Sequence, residues 1–179
     1  MRTLIRWCLL SVFLLTTAGA RVAPASLDDL IADSDEIVIA KVTELLPGSA
    51  SDRDLVYASA TVEKTLKGSI KDSFLFRASP AAICDSSGAV KDETALFFLG
   101  RNGDGTFYIM GAGRGRLPLS EVDGKLFVTF SNMEVPIPDS LPTVTGTESK
   151  DSFIISVALE DLETMISKHP EQRQTLAGI

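Results

Sequence analysis

The sequence predicts a mainly β protein, organised as a small antiparallel barrel with a short helix before it and a second helix at its end. Two observations support this prediction. Short stretches with strand character, either alternating or continuously apolar, recur along the chain. Turn-forming pairs such as Pro47-Gly48, Lys67-Gly68 and Asp123-Gly124 separate them. This spacing favours a barrel over an α/β sheet.

The first 20 residues have the order of a secretory signal peptide. Arg2 and Arg6 precede an apolar run over residues 7–15, and Ala18-Gly19-Ala20 forms a small-residue cleavage site. The run is about half the roughly 20 apolar residues of a membrane-spanning helix. We therefore expect cleavage after Ala20, a secreted or periplasmic protein, and no stable membrane insertion afterwards.

The chain that remains after cleavage is acidic and has one cysteine. Without Arg2 and Arg6, 15 basic residues stand against 24 acidic ones, a formal charge of −9. An acidic surface repels phosphate backbones, so we expect no nucleic-acid partner. Cys8 is lost with the signal, and Cys84 alone cannot form an internal disulfide. The remaining length of about 159 residues suits one domain.

The first elements after the signal have clear local patterns. Ser26 is a suitable N-cap for a short helix that ends near Ser34. A strand over residues 36–46 is apolar on both faces at its start, as expected where a sheet is covered on both sides. A second strand over residues 55–66 alternates cleanly between apolar and polar residues.

The remaining elements follow with less regular spacing. Further strands are expected over residues 73–77, 94–99, 106–110 and 125–130. The barrel domain then covers residues 21–130, and residues 131–150, rich in Pro, Ser and Thr, form a loop or partly mobile connection. Residues 151–179 form a C-terminal helix and tail, because Leu159, Leu162, Met165 and Ile166 recur at helical spacing.

Two glycine-rich patterns resemble ligand-binding motifs but lack the residues that would bind. Residues 100–111 place glycine at both ends of a calcium loop, where Asp and Glu are required, so we predict a hairpin turn. Gly111, Gly113 and Gly115 begin a dinucleotide pattern whose third glycine falls on Arg116. A bend, a bulge or a close strand crossing explains them better.

The remaining candidate side chains also have structural explanations. His169, the only histidine, suits the C-terminus of a helix. Cys84 is expected to be a partly buried apolar residue, or else an exposed thiol that pairs with another molecule. Arg114 and Arg116 are expected on a solvated strand face, with contact to an acidic partner as the alternative. We therefore predict no catalytic, metal-binding or cofactor-binding residue, and no enzyme.

The order of these features resembles the netrin-like domains, which include the tissue inhibitors of metalloproteinases. Residues 32–42 are similar to the first strand of that family, residues 65–68 to its Phe-Lys-Gly turn, and residues 81–84 to its Ser-Ala-Val-Cys loop. Residues 95–105 are similar to the next strand and its turn. The resemblance covers residues 30–113 and implies an OB-like five-stranded barrel with helices packed outside it.

The departures from the family concern its inhibitory group. The inhibitors begin with a cysteine whose amine and carbonyl chelate zinc, whereas Arg21 is the first residue expected here. We predict an exported, non-enzymatic binding or accessory protein with an unidentified protein partner. The alternatives are a protease inhibitor that acts by steric occlusion and a hydrolase that uses unpaired carboxylates.

The resemblance also indicates where a partner would bind. The family's interface loop corresponds to a short apolar segment here, whose residues are Pro80, Ala81, Ala82, Ile83, Cys84 and Asp85. Exposed apolar loop residues often mark interaction sites. The alternative is that Ile83 and Cys84 close one end of the barrel.

Overall fold

The computed structural model describes residues 25–47, 56–78, 88–131, 135–149 and 152–169. The fold is mainly β, as predicted. Its elements are α1 (Leu27–Asp33), β1 (Glu36–Pro47), β2 (Val56–Lys67), β3 (Ser73–Arg77), β4 (Thr94–Arg101), β5 (Phe107–Ile109), β6 (Arg116–Val122), β7 (Lys125–Ser131), β8 (Thr143–Ser149), β9 (Ser152–Ala158) and α2 (Leu159–Lys168).

Five strands close into a barrel. They pair in the order β1-β2-β3-β5-β4, and β4 also pairs with β1. Four of the pairings are antiparallel, but β3 and β5 are parallel. The prediction of a strictly antiparallel barrel is therefore wrong in one respect. A closed ring with an odd number of strands cannot alternate direction throughout, so at least one pair must be parallel.

The two-sided apolar character of β1 reflects two separate cores. Val38, Ala40 and Val42 point into the barrel, where they meet the phenylalanines of β3 and β4. Ile37 and Ile39 point outwards and pack against the helices and the C-terminal sheet. β4 is divided in the same way, and the covering on both faces that was predicted for β1 is confirmed.

A capping box fixes the start of α1, and the prediction of Ser26 as its N-cap is confirmed. The Ser26 hydroxyl accepts a hydrogen bond from the Asp29 amide at 3.1 Å, and the Asp29 carboxylate accepts from the Ser26 amide at 2.9 Å. At the other end, Lys67 Nζ donates to the carbonyls of Ile31 and Ala32 at 2.7 and 3.1 Å. The end of β2 therefore satisfies the last carbonyls of the helix.

We predict that Ser26→Ala raises the pKa of Asp29 towards its ordinary value. Hydrogen bonds from the Ser26 side chain and backbone hold that pKa below 3.8. A lowered pKa in the folded state stabilises the fold above the pKa of the unfolded carboxyl, and this stabilisation is lost as the pH falls through the folded value. Carboxyl ¹³C titration by NMR measures the change. An unchanged Asp29 pKa in the variant would contradict the assignment.

A buried carboxylate joins the N-terminal end of the barrel to the turn after β2. Glu36 is only 3% exposed. Its oxygens accept hydrogen bonds from the backbone amides of Ser69 and Ile70, at 2.6 and 3.2 Å, and from Arg101 Nη2 at 2.9 Å. Gly68 has φ +95° in this turn, and a Cβ there would lie 1.9 Å from Glu36 Oε2. Glycine is therefore required at this position.

The C-terminal part of the chain forms a second layer that the sequence did not predict. The sheet continues from β4 through β6, β7 and β9 to β8, and α2 packs on its inner side. Residues 143–149 are thus a strand rather than a loop, and residues 152–158 are a strand that precedes the predicted helix. The Thr- and Ser-rich composition of β8 suits an edge strand, but it cannot be distinguished from a loop by hydrophobic periodicity. Neither α1 nor α2, the helices of the described part, is long and apolar enough to cross a membrane.

Candidate functional site

A row of two tyrosines and an arginine crosses the exposed face of the barrel. The strand register places Tyr57 of β2 opposite Arg77 of β3, and Arg77 opposite Tyr108 of β5. Neighbouring strands lie about 4.8 Å apart, so the three side chains stand side by side over roughly 10 Å. Tyr57 and Tyr108 are the two tyrosines of the whole chain. We call these three residues the Tyr-Arg-Tyr row.

The row lies on the outer surface because the neighbouring positions in each strand point inwards. Ala58 and Phe76 are fully buried in the barrel, and Phe107 is 6% exposed. Side chains alternate between the two faces of a strand, so the row points to solvent. Tyr108 is 41% exposed, while Tyr57 and Arg77 are half-buried.

The ring of Tyr108 rests on a glycine. Gly100 of β4 lies opposite Tyr108 in the pairing with β5. A Cβ on Gly100 would lie 2.3 Å from Tyr108 Cζ, so the aromatic ring covers the glycine backbone. This packing restricts the rotamers of an exposed side chain before any partner binds, which lowers the entropy cost of binding.

An exposed leucine continues the same face. Leu75 of β3 is 37% exposed and lies opposite Ser59 of β2, one row away from Arg77. Among the residues that the structure describes, none forms a hydrogen bond with Arg77 Nε, which is buried. The face thus combines aromatic, aliphatic and cationic groups on rigid strands. It has the composition of a contact surface.

The sequence predicts the exposure of one of these residues but not the proximity of all three. Alternation along β2 predicts that Tyr57 points outwards, as observed. Nothing in the sequence indicates that it stands beside Arg77 and Tyr108, which are 20 and 51 positions further along the chain. The register between strands decides this proximity, and only the tertiary structure provides it.

The predicted partner-contact residues lie outside the described part of the chain. This applies to Pro80, Ala81, Ala82, Ile83, Cys84 and Asp85, and also to the cleavage site at Ala20 and to Arg21. The segment that contains the contact residues follows β3, whose last residue is Arg77 of the row.

The glycine-rich segments form the turns and the close strand approach that the sequence predicts. In residues 100–111, Asp104 Oδ1 accepts hydrogen bonds from the hydroxyl and the amide of Thr106, which lower the pKa of Asp104. Gly111 and Gly113 have φ values of +63° and +87°, which turn the chain between β5 and β6. A Cβ on Gly115 would lie 3.0 Å from Phe98 Cβ, so this glycine marks a close strand approach.

Arg116 does not lie on a solvated strand face. Its side chain is 19% exposed, and its Nη1 contacts both carboxylate oxygens of Glu93, at 2.8 and 2.7 Å. Glu93 is 14% exposed, so the ion pair is largely shielded from water. The pair fixes the start of β6 against the chain segment that leads into β4. The prediction that Arg116 lies on a solvated strand face is therefore wrong.

His169 ends α2 as predicted and approaches the first helix. Its Nε2 lies 3.9 Å from Asp28 Oδ1. With Ile31, Leu66 and Ile166 it lines a cavity of about 350 Å³ between α1, the end of β2 and α2. In the described part of the chain, no group of three or more His, Cys, Asp and Glu side chains could hold a metal ion.

The fold and the exposed face define a barrel protein with a candidate binding surface. The closed five-stranded barrel is consistent with an OB-like fold. No protein-family model matches the chain, and no curated protein is significantly similar to it in sequence. The netrin-like resemblance therefore stays a prediction.

Proposed function

We propose that this chain is an exported, non-enzymatic binding protein with a netrin-like barrel, and that it contacts a protein partner through the Tyr-Arg-Tyr row. The observation that carries the proposal is the alignment of Tyr57, Arg77 and Tyr108 on an exposed, rigid face. Tyrosine and arginine are among the residue types that contribute most to protein interfaces.

The chemistry of tyrosine and arginine explains why these residue types contribute so much to protein interfaces. A tyrosine buries a large apolar surface on binding and keeps a hydroxyl for hydrogen bonding. An arginine can bind a carboxylate through two parallel hydrogen bonds. Because Gly100 holds the ring of Tyr108 in place, little side-chain entropy is lost when a partner docks.

Charge favours a protein partner over a nucleic acid. The chain has a formal charge of −7, or −9 after the predicted cleavage. Arg77 is the one cation of the row, and Glu44 of β1, which pairs with Ser59 of β2, lies two strands away from Arg77. A surface with so little positive charge does not neutralise the closely spaced phosphates of a nucleic acid.

The segment from Pro80 to Asp85 stays a second proposed contact for the same partner. It begins three positions after Arg77 in the sequence and is apolar except for Asp85. A steric protease inhibitor is a special case of this proposal, in which the partner is a protease.

We expect the double substitution Tyr57→Ala with Tyr108→Ala to reduce partner recovery about tenfold or more, because anchor tyrosines commonly contribute over 1.4 kcal/mol each. The measurement is a pull-down from culture medium or periplasm, with the immobilised protein as bait and quantitative mass spectrometry as the readout. Recovery of a protease would identify the inhibitor case.

Two further variants make this test specific. Leu126→Ala removes a side chain that is 44% exposed on β7, away from the row, and should leave recovery unchanged. Gly100→Ala removes no contact atom but displaces the ring of Tyr108, so it should weaken recovery. If the double variant recovers every partner as well as the wild type does, the row is not the contact surface.

A further inference from the structure

Among the strands that the structure describes, the outermost one of the C-terminal sheet has a free edge. β8 pairs with β9, and no other described strand pairs with it. The pairing is regular from Thr143 to Thr147 and irregular beyond it. An unpaired edge offers a row of amide and carbonyl groups to any other strand.

The regular stretch has no feature that would prevent such pairing. Its sequence, Thr-Val-Thr-Gly-Thr, contains no charge and no proline. Proteins usually protect a free edge with lysine, proline or a bulge. Here the irregularity lies after Thr147, so the five preceding residues remain open.

We infer that β8 pairs with β8 of a second copy of this chain, antiparallel about a two-fold axis at Thr145. In this register Thr143 lies opposite Thr147 of the second copy, and Val144 lies opposite Gly146 of the second copy. A two-fold interface must be complementary to itself, and this stretch is, because no charged residue opposes another. The chain is acidic overall, but none of its charged residues lies within this pairing.

Val144 supplies the apolar contact of this interface. It is 59% exposed, and its partner in β9 is Ser156, on the face opposite to the buried Val157. Across the proposed axis, Val144 and its symmetry mate are diagonal neighbours, about 7–8 Å apart. A second copy therefore covers an exposed valine with the same valine, on a surface separate from the Tyr-Arg-Tyr row.

The test is the mass of the full chain in solution as a function of concentration, by sedimentation velocity. The wild type should move from monomer towards twice the monomer mass as concentration rises. Val144→Asp should remain monomeric over the same range with an unchanged melting temperature. The matched control is Val122→Asp, which adds the same charge at a position that is 54% exposed on β6 and should dimerise like the wild type.

A crosslinking experiment tests the register. In a Cys84→Ser background, Val144→Cys chains are mixed with Gly146→Cys chains and mildly oxidised. Directly opposed positions suit disulfide geometry, so the mixture should form more crosslinked dimer than either chain alone. A wild type that is monomeric at every concentration would overturn the proposal. So would a dimer that Val144→Asp leaves intact, because its interface would lie elsewhere.

Discussion

Replacing Phe97 with alanine should destabilise the protein by about 3–5 kcal/mol, the usual cost of emptying a phenylalanine site in a core. Phe97 is fully buried at the centre of the barrel. Its ring contacts Phe74 edge-on, with centroids 5.8 Å apart, and Phe76 at 5.3 Å. The barrel is closed by its own backbone pairing, so the walls cannot collapse fully into the cavity. Urea unfolding monitored by circular dichroism measures the loss.

A second phenylalanine on the same protein provides the control. Phe127 of β7 is only half-buried and lies outside the barrel. Phe127→Ala removes the same atoms, so its cost should be clearly smaller than that of Phe97→Ala. Equal costs for the two variants would contradict the packing of the barrel interior.

Gly68→Ala should destabilise the protein by about 2–4 kcal/mol. A residue with a Cβ at φ +95° carries about 1–2 kcal/mol of backbone strain. The new methyl group would also collide with the carboxylate of Glu36, which would have to leave the amides of Ser69 and Ile70. Unpaired buried polar groups cost about 1–3 kcal/mol. Denaturant unfolding again provides the measurement.

Gly105 separates the two contributions to this effect. Its φ is +87°, and nothing lies within 4 Å of a Cβ placed there, so Gly105→Ala reports backbone strain alone. The excess cost at Gly68 should become smaller in a Glu36→Ala background, where the collision with the carboxylate is removed and only the approach to the Asp35 carbonyl oxygen at 2.9 Å remains. An excess that is undiminished in that background would show that the carboxylate is not its cause.

The cluster around Glu36 also gives a physical meaning to two segments of the proposed family resemblance. Residues 32–42 and residues 65–68 are far apart in the sequence, yet they meet in the structure. Glu36 accepts hydrogen bonds from the turn after Gly68, and Lys67 donates to the carbonyls of Ile31 and Ala32. These short motifs can therefore be understood as parts of one contact that holds α1 against the barrel.

Local patterns in the sequence determined most elements of the barrel. The cap at Ser26 predicted the first helix, the two-sided apolar start of β1 predicted a doubly covered strand, and the alternation in β2 predicted which face is buried. These features depend on neighbouring residues, whose periodicity directly reflects burial. β8 was missed because an edge strand buries little and has no apolar period.

Only the tertiary structure decided the pairing of strands and the candidate site. The parallel contact between β3 and β5 follows from closing five strands into a ring. The same contact brings Arg77 beside Tyr108, and the pairing of β2 with β3 adds Tyr57. Each of these three residues alone has the pattern of an ordinary exposed strand position. They become one surface because the register of a closed barrel depends on the packing of its whole interior, which no local pattern encodes.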